Sequence, residues 1–224
     1  MIPFYDTTKR FMDIVFSLIL IIILLPVWVI IPILMKLEEP DGPIIYIPKR
    51  VGKNGKNFGM LKFRSMKMLK DKNGKQIHAV HFWKNNPELF EKYKKAGWKL
   101  TLNNDPRITK IGRFIRQTSI DEMPQVFNIL KGDMSLVGPR AYVQNKVEPE
   151  IEDAIKRYGK GIKKYIKLSQ SVKPGLTGPW QVSGRNDIGW DERVKMDASY
   201  AQRKSILEDL IIILRTPLAM VSKW

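Results

Sequence analysis

The chain has 224 residues and a net charge of +17, with 39 Lys and Arg against 22 Asp and Glu. It contains no cysteine, which excludes disulfide scaffolds, thiolate zinc sites and cysteine nucleophiles. Only two histidines are present, so acid–base and nucleophilic work falls to carboxylates. The charge is uneven: residues 1–40 sum to −1 and the remainder to +18, a balance that suits nucleic acid, lipid headgroups or phosphorylated small molecules.

Ile14 to Met35 is an uncharged run of 22 residues whose one polar side chain is Ser17. As a straight helix it would measure about 33 Å, close to the ~30 Å of a bilayer core. Lys-Leu-Glu-Glu-Pro follows instead of a small-residue cleavage site, so the run reads as a retained anchor and not a signal peptide. Pro26 interrupts it near the middle. Lys9 and Arg10 flank one end and Lys36 the other, so flanking charge gives no orientation. On these physics a kinked span is the commoner outcome, with a re-entrant hairpin as the alternative.

Asp41-Gly42-Pro43 predicts a turn and Ile44–Ile47 a short strand. Gly59–Met66 alternates like a half-buried strand, which puts Lys62 and Arg64 on one face. Residues 67–104 are polar and lysine-rich, an insertion with a helix from Pro87 to about Gly97. His78 and His81 within it read as solvated loop residues in preference to a metal pair. Met134–Val137 predicts a strand, and the rigid Gly138-Pro139 turn after it aims Arg140. Glu148–Ser171 carries helical spacing at Ile151, Ile155, Tyr158 and Ile162; Pro174–Gly189 reads as loop; Asp191–Leu214 reads as helix again. The apolar stretch from Leu210 to Val221 is too short to span a membrane and suits an interface or a core.

Walker-type, G-x-G-x-x-G, G-x-S-x-G and H-E-x-x-H templates are all absent. Attention therefore falls on Asp121–Glu122. Thr118-x-x-Asp121 and Ser119-x-x-Glu122 both fit a capping box, and Pro124 marks a first helical turn. The same geometry serves chemistry. Two carboxylates at a helix start can hold a divalent cation against a phosphate, or one can attack phosphorus, with Arg113 and Arg116 just upstream to neutralise charge. On this segment alone the capping role weighs slightly more. Asp197 lies on an amphipathic helix, where an i,i+4 pair with Arg193 is the plain reading.

Together these segments resemble a known family. Lys62-Phe63-Arg64-Ser65-Met66, Asn104–Thr109, Arg116–Pro124, Leu130–Arg140, Val172–Gly178, Gln181–Asn186 and Trp190 occur in the order found in the bacterial sugar transferases, the monotopic phosphoglycosyl transferases. The resemblance implies transfer of a sugar-1-phosphate from a UDP-sugar to undecaprenyl phosphate, with release of UMP, as the first membrane step of polysaccharide or glycoconjugate assembly. It implies Asp121 as nucleophile of a ping-pong reaction, Glu122 beside it as an Mg²⁺ ligand, and Asp121 sharing that metal. Lys62, Arg116 and Arg140 become phosphate ligands, joined in the phosphate- and nucleotide-binding set by Arg64, Arg185 and Asp197. It also implies a re-entrant anchor helix broken at Pro26, which reverses the preference for a span.

The expected fold class is α+β: a mainly helical cytosolic domain with a small β-sheet, a proline-broken re-entrant membrane helix and interfacial amphipathic helices. The expected division is an anchor over 1–40 and a catalytic domain over 41–224, on the cytoplasmic face of the bacterial cell membrane. Partners are the UDP-sugar, undecaprenyl phosphate and membrane lipids, without nucleic acid; a homodimer stays open. A ternary-complex reaction is the alternative mechanism, and a basic membrane-tethered adaptor the alternative class. The chain departs from the pattern at Leu25, where many relatives have Ser before the proline, at Ala141 after Pro139-Arg140, and at Ser199 before Tyr200. The 67–104 stretch resembles forms usually fused to a transmembrane bundle, which these residues do not include.

Overall fold

The fold is described from a computed structural model covering residues 3–68, 83, 85–95, 100–143, 155–156, 158–159, 161–184 and 188–221. His78, His81, Arg185 and half of 67–104 lie outside the described residues. Helices dominate and the strands are short, so the architecture is α+β. The chain divides into two compact units: residues 1–25, 46–62 and 122–224 form the first, and 26–45 with 63–121 form the second.

In the first unit, α1 (Pro3–Ile23) changes character along its length. Its first turns are built into the fold. The Arg10 guanidinium donates to the carbonyls of Ile129 and Leu130 at 2.6 and 2.7 Å, satisfying the end of α5 (Gln125–Lys131). Buried Asp13 accepts from Ser135 Oγ at 2.9 Å and Leu136 N at 2.8 Å. Its last turns instead expose Leu18, Ile19, Ile22 and Ile23.

The core of this unit packs Met60, Ile129, Met134 and Leu136 against Phe16 and Leu20 of α1. Strand β5 (Ser135–Val137) pairs in parallel with β7 (Gly175–Thr177), with Ser135 opposite Gly175 and Val137 opposite Thr177. Glycine is required at this crossing. A Cβ on Gly175 would lie 2.1 Å from the amide nitrogen of Gly138. The predicted loop over 174–189 thus contains a strand and a five-residue helix, α7 (Pro179–Ser183).

Three further strands, β2 (Lys49–Val51), β3 (Asn57–Gly59) and β6 (Tyr142–Val143), form an antiparallel sheet in the order β3-β2-β6. The short strands β1 (Ile45–Tyr46) and β4 (Lys62–Phe63) form a two-stranded sheet.

Helix α6 (Ile162–Ser169) is the described remainder of the helix expected over 148–171; Gly159, with φ +74°, interrupts the helical path before it. The helix expected over 191–214 is two helices, α8 (Trp190–Arg203) and α9 (Ile206–Val221). Ser205 Oγ accepts from Glu208 N at 3.1 Å and starts the second, the first half of a capping box that the pattern Ser205-x-x-Glu208 spells out.

Asp209 ties the unit together. This fully buried carboxylate accepts from Tyr5 Oη at 3.0 Å, Lys9 Nζ at 2.8 Å and Tyr200 Oη at 2.6 Å. The Tyr200 hydroxyl also lies 3.2 Å from the Val137 carbonyl, immediately before the Gly138-Pro139-Arg140 turn. One side of α9 is therefore core, with Ile212 buried, while Leu207, Leu214 and Leu218 are exposed. Of the two roles expected for the Leu210–Val221 stretch, the core packing is present at Ile212, and Leu210, Ile211, Leu214 and Leu218 remain exposed.

In the second unit, α2 (Leu25–Glu38) packs Ile31 and Met35 onto Phe63 and Ile115, with Trp28 against Phe63 at 5.7 Å. Val29, Ile30, Ile33 and Leu37 remain exposed. Glu38 accepts from the amides of Lys110 and Ile111 at 2.6 and 3.0 Å, which caps α4 (Lys110–Gln117) from outside its own segment. Thr109 Oγ1 caps the same helix from Gly112 N at 2.7 Å. Helix α3 (Pro87–Lys95) matches the prediction within the insertion.

The break between α1 and α2 falls at Leu24, and the two helices are bent by 59°. Pro26 stands in the first turn of α2, where a missing N–H is harmless, and it leaves the Ile22 carbonyl without the donor that would continue α1. No single helix among the described residues is long and apolar enough to cross a membrane; the bent pair meets that test only together.

Candidate active site

Asp121 and Glu122 do not sit in the first turn of a side-chain-capped helix, as expected. They belong to a 3₁₀ turn, Ile120–Glu122, and α5 begins three residues after it with Pro124 as a cap that makes no side-chain bond. The capping-box reading fails for a local reason. Thr118 Oγ1 turns back to the Phe114 carbonyl at 2.9 Å, closing α4, and Ser119 adopts φ +57°. This strained bend between two helices leaves both carboxylates on a half-buried connecting turn.

The boundary between the two units falls on the Asp121–Glu122 peptide bond. On the side of the first unit, Glu122 Oε1 accepts from Lys62 Nζ at 2.5 Å, with both side chains largely but not fully buried. On the side of the second, Arg116 is the cation that feels Asp121. Burial pulls the Arg116 guanidinium down from its ordinary value, and the carboxylates of Asp121 and Asp105 oppose that shift. Arg116 Nε donates to Ser65 Oγ at 2.7 Å, which fixes its plane. Asp105 in turn holds Arg107 through a bidentate pair at 2.8 and 2.6 Å, with the Arg107 guanidinium 4.5 Å from the Trp83 ring centroid. Asn104–Thr109 is thus a charged layer behind Arg116.

Arg64 belongs to the second unit, where its guanidinium is engaged by the Glu39 carboxylate, the Pro43 carbonyl at 2.7 Å and the Met66 carbonyl at 3.0 Å. A buried arginine with those partners braces the turn after α2.

Arg140 and Asp197 meet in the first unit. The Arg140 amide donates to Asp197 Oδ2 at 3.0 Å, while its guanidinium lies 5.3 Å from the Trp180 ring centroid. Arg193 stands over the same ring at 4.8 Å. Asp197 is 2 % exposed, and burial pushes its carboxyl up to about 7 against the opposing pull of the Arg140 amide and the Arg140 and Arg193 charges. Its role as a simple surface pair with Arg193 is thereby replaced by a buried one. Trp180 carried no expectation from the sequence, although an indole following a Gly-Pro step in a basic chain was an available signal; Arg193 entered only as the i,i+4 partner of Asp197.

A cavity of about 190 Å³ in the first unit is lined by Lys9, Arg10, Asp13, Lys53 and Lys173 among others. It contains none of the expected site residues and belongs to the packing of α1. Among the described residues no group of three or more His, Asp or Glu side chains is placed to hold a metal ion.

A family description, "Bacterial sugar transferase", matches residues 4–223. The chain is 43 % identical over 208 residues to "Undecaprenyl-phosphate galactose phosphotransferase" of Salmonella typhimurium, covering 93 % of this chain and 39 % of that protein. It is 37 % identical over 216 residues to "Exopolysaccharide production protein ExoY" of Sinorhizobium fredii, covering 96 % and 85 %. It is 33 % identical over 228 residues to "UDP-glucose:undecaprenyl-phosphate glucose-1-phosphate transferase" of Escherichia coli, covering 96 % and 42 %. The chain thus spans about two fifths of the first and third of these relatives. It belongs to the bacterial sugar transferase family.

Proposed function

We propose that this chain transfers a sugar-1-phosphate from a UDP-sugar to undecaprenyl phosphate and releases UMP; the Escherichia relative is named for transfer of glucose-1-phosphate between UDP-glucose and undecaprenyl phosphate, and the Salmonella relative as an undecaprenyl-phosphate galactose phosphotransferase. The observation that carries the reading is a family match from residue 4 to 223, within which Glu122 accepts from Lys62 Nζ, the Asp121 charge acts on Arg116, and Asp197 accepts from the Arg140 amide. Two anionic reactants must approach one phosphorus, and cations held by carboxylates are positioned to move onto phosphate oxygens.

In this mechanism an Asp121 carboxylate oxygen bonds to the phosphorus that bears the sugar. The bond from that phosphorus to the UMP oxygen breaks, and UMP leaves with the electron pair. An oxygen of the lipid phosphate then bonds to the same phosphorus and frees Asp121. Arg116 steadies the charge around Asp121, and Lys62 and Arg140 bind phosphate oxygens. The Mg²⁺ implied by the family would be held by the carboxylates of Asp121 and Glu122, hard oxygen donors adjacent in the chain. When bound it would draw charge from the phosphoryl group.

Purified enzyme given a panel of UDP-sugars with undecaprenyl phosphate is expected to release UMP from one or few of them. Absence of UMP release across the panel, in enzyme of native fold, would refute the assignment.

We further place the chain on the cytoplasmic face of the cell membrane with α1 and α2 as a re-entrant pair and α9 at the interface. The support is the bend at Leu24 and the exposed leucine and isoleucine side chains on all three helices. Since the chain has no cysteine, single Thr7→Cys and Asp41→Cys variants report sidedness cleanly. Both are expected to resist an impermeant thiol reagent in intact spheroplasts and to react in inverted vesicles. Labelling of one from each side would mean a span.

A further inference from the structure

Three side-chain polar atoms of the first unit are buried without a hydrogen-bond partner around one feature: Trp180 Nε1, Gln181 Oε1 and Asp197 Oδ1. Trp180 and Asp197 are 6 % and 2 % exposed. Helix α7, which carries the first two, packs on α8, which carries the third. Arg140 and Arg193 join them, since both guanidiniums cover the Trp180 ring and both charges act on Asp197. Gln181 Oε1 lies beside the same turn: a Cβ on Gly178 would come within 2.9 Å of it and 2.2 Å of the Gly138 carbonyl.

A buried polar atom left without a partner keeps its desolvation cost uncompensated, and native folds rarely gather several in one place without an occupant. The chemistry of the three defines that occupant. Trp180 offers one N–H donor; Gln181 and Asp197 each offer an acceptor. The indole face is already taken by two guanidiniums, so a nucleobase finds no ring to stack on. Single, directional donor and acceptor points without an aromatic platform suit a ring bearing several hydroxyls.

We propose that Trp180 Nε1, Gln181 Oε1 and Asp197 Oδ1 read the hydroxyl groups of the donor sugar, with Trp180 and Gln181 as specificity-determining residues. This rests on the UDP-sugar reading above and adds to it where the sugar is recognised. Arg140 and Arg193 lie over the indole, and the Arg140 amide holds Asp197 through Oδ2, which leaves Oδ1 for the ligand.

The test pairs variants with substrates. UMP release is measured for wild type, Trp180→Phe and Gln181→Met with the preferred UDP-sugar, its epimers and its monodeoxy analogues. Wild type is expected to lose about tenfold or more in kcat/KM when one particular hydroxyl is removed, as follows from leaving a buried partner unpaired. Trp180→Phe or Gln181→Met is expected to lose a similar factor on the full sugar and nothing further on that analogue, a coupled pair in a double-mutant cycle. Competitive inhibition by UMP, which lacks the sugar, is expected to stay within twofold. Wild-type tolerance of every monodeoxy analogue overturns the proposal whatever the variants do. So does additivity between variant and analogue, or a parallel loss of UMP affinity, which would assign these residues to packing or to the nucleotide. Melting curves identify a variant that fails to fold, and the wild-type analogue series then decides. Failure of the functional reading looks different: wild type then releases no UMP from any UDP-sugar.

Discussion

Asp121→Asn is expected to lower turnover by about 10⁴-fold or more and to abolish the burst of UMP that wild type releases without lipid. An amide oxygen is a poor nucleophile toward phosphorus, whereas the shape and hydrogen-bonding reach of the side chain hardly change. The fold should tolerate the change, because asparagine keeps the size of aspartate and the bend before residue 121 is shaped by Thr118 Oγ1 on the Phe114 carbonyl and by the Ser119 backbone. Arg116 loses one of its two neighbouring anions but keeps Asp105 and the Ser65 hydroxyl, so the cation stays in place. The measurement is a rapid-quench experiment with radiolabelled UDP-sugar. Wild type should carry up to one phosphosugar per chain before lipid is added, and the Asn variant none. Near wild-type rates in the variant would remove Asp121 as nucleophile. Turnover in wild type with neither burst nor bound phosphosugar would favour direct attack by the lipid phosphate in a ternary complex.

Much of this arrangement is legible in the chain, and the failures are instructive. The apolar run with its proline announced a broken helix, because a missing N–H acts locally. The break itself lies two residues earlier, at Leu24, since a proline is best accommodated inside the first turn that follows. Ser205-x-x-Glu208 marked the start of α9, yet continuous periodicity through residues 191–214 hid it. The reverse happened at Thr118 and Ser119, where a matching capping pattern is overridden by a hydroxyl bonded backward to the preceding helix. Residues 175–177 looked like loop because glycine is scarce in strands; the glycine is there for the close approach of Gly138, which only the fold brings near. Lys62 and Arg64 shared a face by spacing, but their partners, Glu122 and Glu39, lie 60 and 25 residues away and draw them into separate structures. Asp209 is the extreme case. Tyr5, Lys9 and Tyr200 reach it across 204, 200 and 9 residues, and no local pattern encodes that meeting.

Asp197→Asn should move stability and activity in opposite directions. Burial raises the Asp197 carboxyl to about 7 in the folded chain, from an ordinary value of 3.8. Between those values the folded state holds a proton that the unfolded state has lost. Stability from this group is therefore complete below about pH 4 and declines as pH rises through 7. From pH 5.5 to 8.5 the decline attributable to it is about 2 kcal/mol, as 1.4 kcal/mol per unit over the ~1.5 units below the folded pKa. Asparagine is neutral at every pH and still presents an oxygen to the Arg140 amide, so the variant should lack that decline and melt higher than wild type at pH 8.5. Activity at pH 8.5 should fall on the order of 10²–10³-fold, because the negative charge beside Arg140 and Arg193 is lost and the proposed sugar site loses a charged acceptor. Melting temperatures and UMP release at pH 5.5 and 8.5 check both halves. A variant less stable than wild type at pH 8.5, or an equal difference at both pH values, would mean that Asp197 is ionised without penalty in the fold. A carboxylate that destabilises its own fold when ionised, yet stands under two arginines and keeps one oxygen without a partner, is best explained by the substrate it meets.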